Sequence, residues 1–75
     1  MKVAIVEFES EQAGSAILAK QKNTEELRAN SISIQWQPHH VVFYLTLKND
    51  GRVYEDMIAY RAADVVSIDM QEMEE

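Results

Sequence analysis

His39 and His40 are the only imidazoles in the chain, and chemistry near neutral pH would look to them first, as metal ligands or proton carriers. Their spacing works against both roles. Neighbouring residues of an extended chain point to opposite faces, so the pair cannot easily share one metal ion. With no cysteine in the sequence, no thiolate is available to complete a zinc set. Glu55 and Asp56 are likewise adjacent and diverge, which excludes the convergent carboxylates of a glycosidase or a shared-proton dyad. Glu7 and Glu9 do share a face, but at a strand end where solvation is the default. Ser10, Ser15, Ser31, Ser33 and Ser67 lack the surround of a nucleophile elbow, and Gly14 and Gly51, the only glycines, are too few for a phosphate-cradling loop. The residue types therefore point away from an enzyme and away from a bound metal or cofactor.

Charge is more informative. The formal net charge is -6, and residues 1–52 hold six acids and six bases, so the excess falls in the last third. There Glu55, Asp56, Asp64, Asp69, Glu72, Glu74 and Glu75 face Arg61 alone. Phosphate binding works by lysine and arginine displacing counterions, so direct nucleic-acid binding is disfavoured. Carboxylates spaced on a rigid sheet can instead present charge much as a phosphate backbone does. Glu55, Asp56, Asp64, Asp69 and Glu72 are accordingly the candidate contacts with a basic partner, one that itself handles nucleic acid. Short, cysteine-free, acidic inhibitors of the kind carried by phages have this size and charge.

Elements must position these side chains. Val3 and Ile5 alternate with Ala4, Val6 and Phe8, leaving both faces apolar, as in an interior strand. Ser10 then suits an N-cap, with Glu11 at the positive helix end. Ala13, Ala16, Ile17, Lys20 and Leu27 fall on one stripe when stepped by about 100° per residue. This predicts a helix over about 10–29, weakened by Gly14 and with a break near 23, where Asn23-Thr24 resembles a fresh N-cap. A rival reading turns the chain at Ala13–Ser15 and continues as a strand. Lys20-Gln21-Lys22 and Glu25-Glu26-Leu27-Arg28 are weak strand material, and the helix is preferred.

From Ser31 the period becomes two. Ile32, Ile34 and Trp36 face one way, which assigns Trp36 to the core, and the run ends at Pro38. Val41, Phe43, Leu45 and Leu47 next alternate with Val42, Tyr44, Thr46 and Lys48 up to Asn49-Asp50-Gly51, where Gly51 can take the positive φ of a tight hairpin. A two-residue Asp50-Gly51 loop turns Tyr54, Ile58 and Tyr60 inward and sets Asp56 opposite Leu45. An odd loop would turn Val53, Glu55, Met57 and Ala59 inward, and the even loop is preferred because it gathers more apolar area. A brief helical turn at Arg61-Ala62-Ala63 leads to a last strand in which Val66, Ile68 and Met70 alternate with Val65, Ser67 and Asp69. Residues 71–75 read as a frayed acidic tail. The expected fold is a single α+β domain over 1–75, in the order β-α-β-β-β-β, with one helix on a largely antiparallel sheet of about five strands.

Leu47-Lys48-Asn49-Asp50-Gly51-Arg52, followed by Tyr54, resembles the hairpin of Sm-like RNA-binding proteins over about 20 residues. That resemblance would imply an RNA-binding role, but Asp56 stands where the family has a small glycine and Tyr60 comes one residue early. Arg61 replaces an acid, and Val65 and Val66 follow where an asparagine should meet a base. The face opposite the expected core also presents an outward apolar set, Val42, Tyr44, Thr46, Met57 and Ala59 with Val65 beside them, for which the chain offers no second helix. Val42, Tyr44 and Met57 are therefore the candidates for self-association, since homodimers are the commonest soluble oligomers.

The segment MKVAIVEFES has an apolar run interrupted at Glu7, too short for a signal core or a membrane span. Together with the absence of cysteine, this gives the expectation of a soluble cytoplasmic protein that does not engage membranes. The leading functional expectation is a non-enzymatic interaction module docking on a basic protein. The alternative is a homodimeric structural or adaptor subunit held by its apolar sheet face.

Overall fold

Alternation with a period of two governs the chain throughout the residues that the computed structural model describes, 1–11 and 20–73. Among these, six strands form in sequence: β1 Lys2–Glu11, β2 Lys20–Ala29, β3 Ser31–Trp36, β4 His40–Asn49, β5 Arg52–Arg61 and β6 Val65–Glu72. The helical element among them is a three-residue 3-10 turn, Ala62–Asp64, between β5 and β6. The strands make two antiparallel three-stranded sheets, ordered β2-β1-β6 and β3-β4-β5. Ala4, Val6, Leu27 and Ala29 of the first sheet pack against Val41, Phe43 and Leu45 of the second, with Phe8, Ile32, Ile34, Leu47, Ile58, Tyr60, Val65 and Ile68 around them. The chain is thus an all-β sandwich whose core lies between its sheets.

The expected α+β layer is overturned. Residues 20–29, the second half of the expected helix, are the edge strand β2, and Ser10 lies inside β1 rather than at a helix cap. Residues 12–19, with the stripe positions Ala13, Ala16 and Ile17 and the expected weak point Gly14, fall outside the described residues. The rival strand reading holds for 20–29, and the reason is tertiary. Lys, Gln, Glu, Leu, Arg and Ala favour helices by only a few tenths of a kcal/mol each. As a strand, the same residues run the length of the interior strand β1, from Lys2↔Ala29 to Glu11↔Lys20, and bury Leu27 and Ala29 in the core.

A single five-stranded sheet is likewise replaced by two of three, and the sequence carries the mark of that change at Asn30. Leu27 and Ala29 face the core from odd positions, Ile32 and Ile34 from even ones. A one-residue slip of phase between segments sharing one core means that the chain turns a corner and enters the other sheet. Asn30 holds that corner. Its amide donates to the Thr46 carbonyl at 2.9 Å, and its side-chain Oδ1 accepts the Lys48 amide at 2.8 Å.

The hairpin follows the even-loop register: Tyr44↔Met57, Leu45↔Asp56 and Asn49↔Arg52 are partners. Asp50 and Gly51 both have positive φ, 50° and 75°, the signature of a type I′ turn. In β6 the expected alternation shifts at a register irregularity opposite Glu7/Phe8. It brings Val65 against the core and leaves Val66 exposed. The stretch read as a frayed tail is partly held. Gln71 and Glu72 complete β6, and Met73 exchanges backbone bonds with Met1 at 2.8 and 3.1 Å. Among the described residues, no helix is long and apolar enough to cross a membrane.

Candidate interaction faces

A sandwich has two outer faces that point in opposite directions, and the pairing registers state which side chains share each. On the β2-β1-β6 sheet the rows are Arg28–Val3–Gln71, Glu26–Ile5–Asp69 and Thr24–Glu7–Ser67, followed by Lys22 beside Glu9. On the β3-β4-β5 sheet they are Gln35–Val42–Ala59, Ser33–Tyr44–Met57 and Ser31–Thr46–Glu55, followed by Lys48 beside Val53. At the other end of this second face His40 stands beside Arg61. The first face is densely charged, and the second carries one acid, Glu55, and two bases, Lys48 and Arg61, among apolar and uncharged polar groups.

The five carboxylates expected to form one docking surface are not brought together. Glu55 lies on the outer face of the β3-β4-β5 sheet, and Asp56 at the exposed rim of its inner face, opposite Leu45. Asp64 sits in the 3-10 turn, 4.0 Å from Arg61. Asp69 is on the opposite outer face of the molecule, where it accepts from Gln71, and Glu72 lies beside Lys2 at the end of β6. A flat partner that covers Glu55 cannot also cover Asp69. Sequence position placed these acids in one third of the chain, but the crossover between β5 and β6 moves them to different sheets.

A different set of acids does share a face. Glu7, Glu9 and Glu26 join Asp69 on the β2-β1-β6 sheet against Lys22 and Arg28. Arg28 pairs with Glu26 at 2.7 Å, Lys22 approaches Glu7 to 4.0 Å, and the Ser67 hydroxyl donates to Glu7 at 3.2 Å. Glu26 was missed because a helix hides strand parity. With 20–29 read as a strand, alternation from Leu27 would have placed it outward.

The three candidates for self-association share one face. Tyr44 and Met57 are cross-strand partners, and Val42 lies one row away. Met57 is 60% exposed and Tyr44 40%, whereas Val42, at 5%, is already covered by its neighbours. Tyr44 also donates to the Gln35 Oε1 at 3.1 Å, which fixes its ring over the sheet. Val53 extends the exposed apolar surface along β5. Trp36, assigned to the core by alternation, is 64% exposed. It is the last residue of the edge strand β3, where the opposing sheet no longer covers the inner face.

Between the sheets, Glu25 reaches from the inner face of β2 to accept the Tyr60 hydroxyl of β5. Burial first, and then the hydrogen bond to Glu25 and its negative charge, hold the Tyr60 hydroxyl well above the usual tyrosine range. His39 and His40 are both exposed, at the turn into β4 and at its first residue. Among the described residues, no group of three or more His, Asp or Glu side chains is placed to hold a metal ion. No protein-family model matches the chain, and no curated protein or solved structure matches it.

Proposed function

We propose that the chain is a non-enzymatic interaction module of a reducing, cytoplasmic compartment, and that it works as a homodimer joined through the outer face of its β3-β4-β5 sheet. The observation that carries this reading is the contrast between the two outer faces. A chain of net charge -6 meets a second copy most cheaply where like charges are fewest. The β3-β4-β5 face offers a single acid, Glu55, with two bases, Lys48 and Arg61, toward its ends, around the exposed Tyr44–Met57 pair. Tyrosine and methionine are also enriched at the cores of protein interfaces.

The test is a mass measurement in solution over a concentration series. Wild-type protein should sediment at twice its 8.6 kDa chain mass, and Met57→Lys and Tyr44→Lys should each lower that mass with the far-ultraviolet spectrum unchanged. A wild type that stays monomeric, or variants that remain dimeric, would overturn the reading.

A second reading is favoured by the acids gathered on the β2-β1-β6 face. There a basic, nucleic-acid-handling partner would meet Glu7, Glu9, Glu26 and Asp69, with the other face left for self-association. Glu26→Lys with Asp69→Lys should abolish capture of such a partner, and capture undiminished by that double change would remove this reading.

A further inference from the structure

Among the described residues β5 is one edge of its sheet, and a free edge is a template for another strand. The hairpin register states which of its backbone groups are free. Asn49↔Arg52 closes a two-residue turn and is therefore a hydrogen-bonded pair, and bonded and non-bonded pairs alternate from there. Val53, Glu55, Met57 and Ala59 consequently turn their amides and carbonyls away from β4, toward the open edge. Of these outward amides, that of Met57 is taken by a side chain: Asp56 Oδ1 accepts it at 2.9 Å. Asp56 is also an inward-facing residue that does not join the core, standing exposed opposite Leu45 between the half-buried Ile58 and the exposed Tyr54. A charge at an inward position of an edge strand is one of the ways that natural sheets discourage further pairing.

We propose that Asp56 guards the β5 edge, and that without its carboxylate β5 becomes an acceptor for β5 of a second copy. Two effects act together. The Met57 amide, which an incoming strand would need, is already bonded. An antiparallel pairing of two β5 edges centred on Asp56 would also set the two Asp56 side chains directly opposite, with Glu55 one position away, and like charges so placed are destabilising. The exposed apolar Val53 and Met57 make such a guard necessary, because they would otherwise reward edge pairing along this strand. Nothing in it depends on the face-to-face dimer: it excludes a second, open-ended mode of assembly whether or not that dimer forms.

The experiment uses wild type, Asp56→Asn and Asp56→Ala. Amide hydrogen exchange in wild-type protein should be slower at Met57 than at Glu55 and Ala59 by about tenfold, the factor that one net hydrogen bond supplies. Asp56→Asn keeps the acceptor and should retain most of that protection. Asp56→Ala should lose it, and in sedimentation should form species larger than any wild-type species, growing with concentration. Exchange at Met57 as fast as at Glu55 and Ala59 in wild type would overturn the guard even if neither variant folded. So would a folded Asp56→Ala protein that sediments as wild type does. A monomeric wild type with a polymerising Asp56→Ala would support the guard while removing the dimer.

Discussion

Tyr60 does more than fill space. Its ring lies 5.4 Å from that of Phe8, tilted by 41°, and meets Phe43 edge-on at 5.7 Å and 90°, so one residue of β5 touches the aromatic side chains of both sheets. Its hydroxyl adds the bond to Glu25. Tyr60→Phe keeps the ring contacts and removes that bond. After allowance for the exposure of Glu25, the expected cost is about 1 kcal/mol at neutral pH. The same residue sets an alkaline dependence. The folded-state pKa of Tyr60 lies above its unfolded value, so the folded chain holds this proton more tightly. The resulting stabilisation is complete below about pH 10 and is lost as pH rises toward the folded value. Urea midpoints should therefore fall above about pH 10 more steeply for wild type than for Tyr60→Phe, and the gap between them should close. Equal slopes for the two proteins would show that the hydroxyl contributes nothing.

The elements differ in how openly the sequence declares them, and the difference follows from what fixes each. The β4–β5 hairpin is fixed locally, by alternation on both arms and by the positive φ of Asp50 and Gly51, and its register is legible residue by residue. The place of β1 inside a sheet is legible too, because both of its faces are apolar. β2 is not, since Asn23 and Glu25 occupy inward positions beside Leu27 and Ala29 and leave it with too little apolar alternation to outweigh helix-favouring composition. Strand pairing along β1 decides its state, and no local signal reports that. The division into two sheets was legible only as the phase slip at Asn30, which is silent until both flanking segments are read as strands. Two substitutions test these local devices. A Cβ at Gly51 would meet nothing within 4 Å, so Gly51→Ala should cost about 1 kcal/mol through backbone conformation alone. Asn30→Ala should cost about 1 kcal/mol by leaving the Lys48 amide without its acceptor, whereas Asn30→Asp should restore most of it. Urea denaturation compares them, and an Asn30→Asp protein no more stable than Asn30→Ala would show that the side-chain acceptor does not hold the corner.

For the molecule as a whole, the crossover between β5 and β6 matters more than any count of charges, because it sends acids that are neighbours in sequence to faces pointing apart. The candidate faces were accordingly only half legible. Tyr44 and Met57 could be paired from the hairpin alone, whereas the company of Asp69 depended on β2 being a strand. The two proposed interfaces should respond to salt with opposite sign. Exposed charges are screened over about 10 Å at 0.1 M ionic strength and about 3 Å at 1 M. Two copies of a chain with net charge -6 repel one another at long range, and the proposed contact between them is apolar. Raising salt should therefore tighten the homodimer, seen as a lower dissociation constant by sedimentation, until screening is complete. A complex of the Glu7, Glu9, Glu26 and Asp69 face with a basic protein should loosen over the same range. Met57→Lys separates these effects, since it should abolish the association that salt strengthens and leave the complex that salt weakens. A homodimer that dissociates as salt rises would mean that its contact is made by charges and not by the Tyr44–Met57 face.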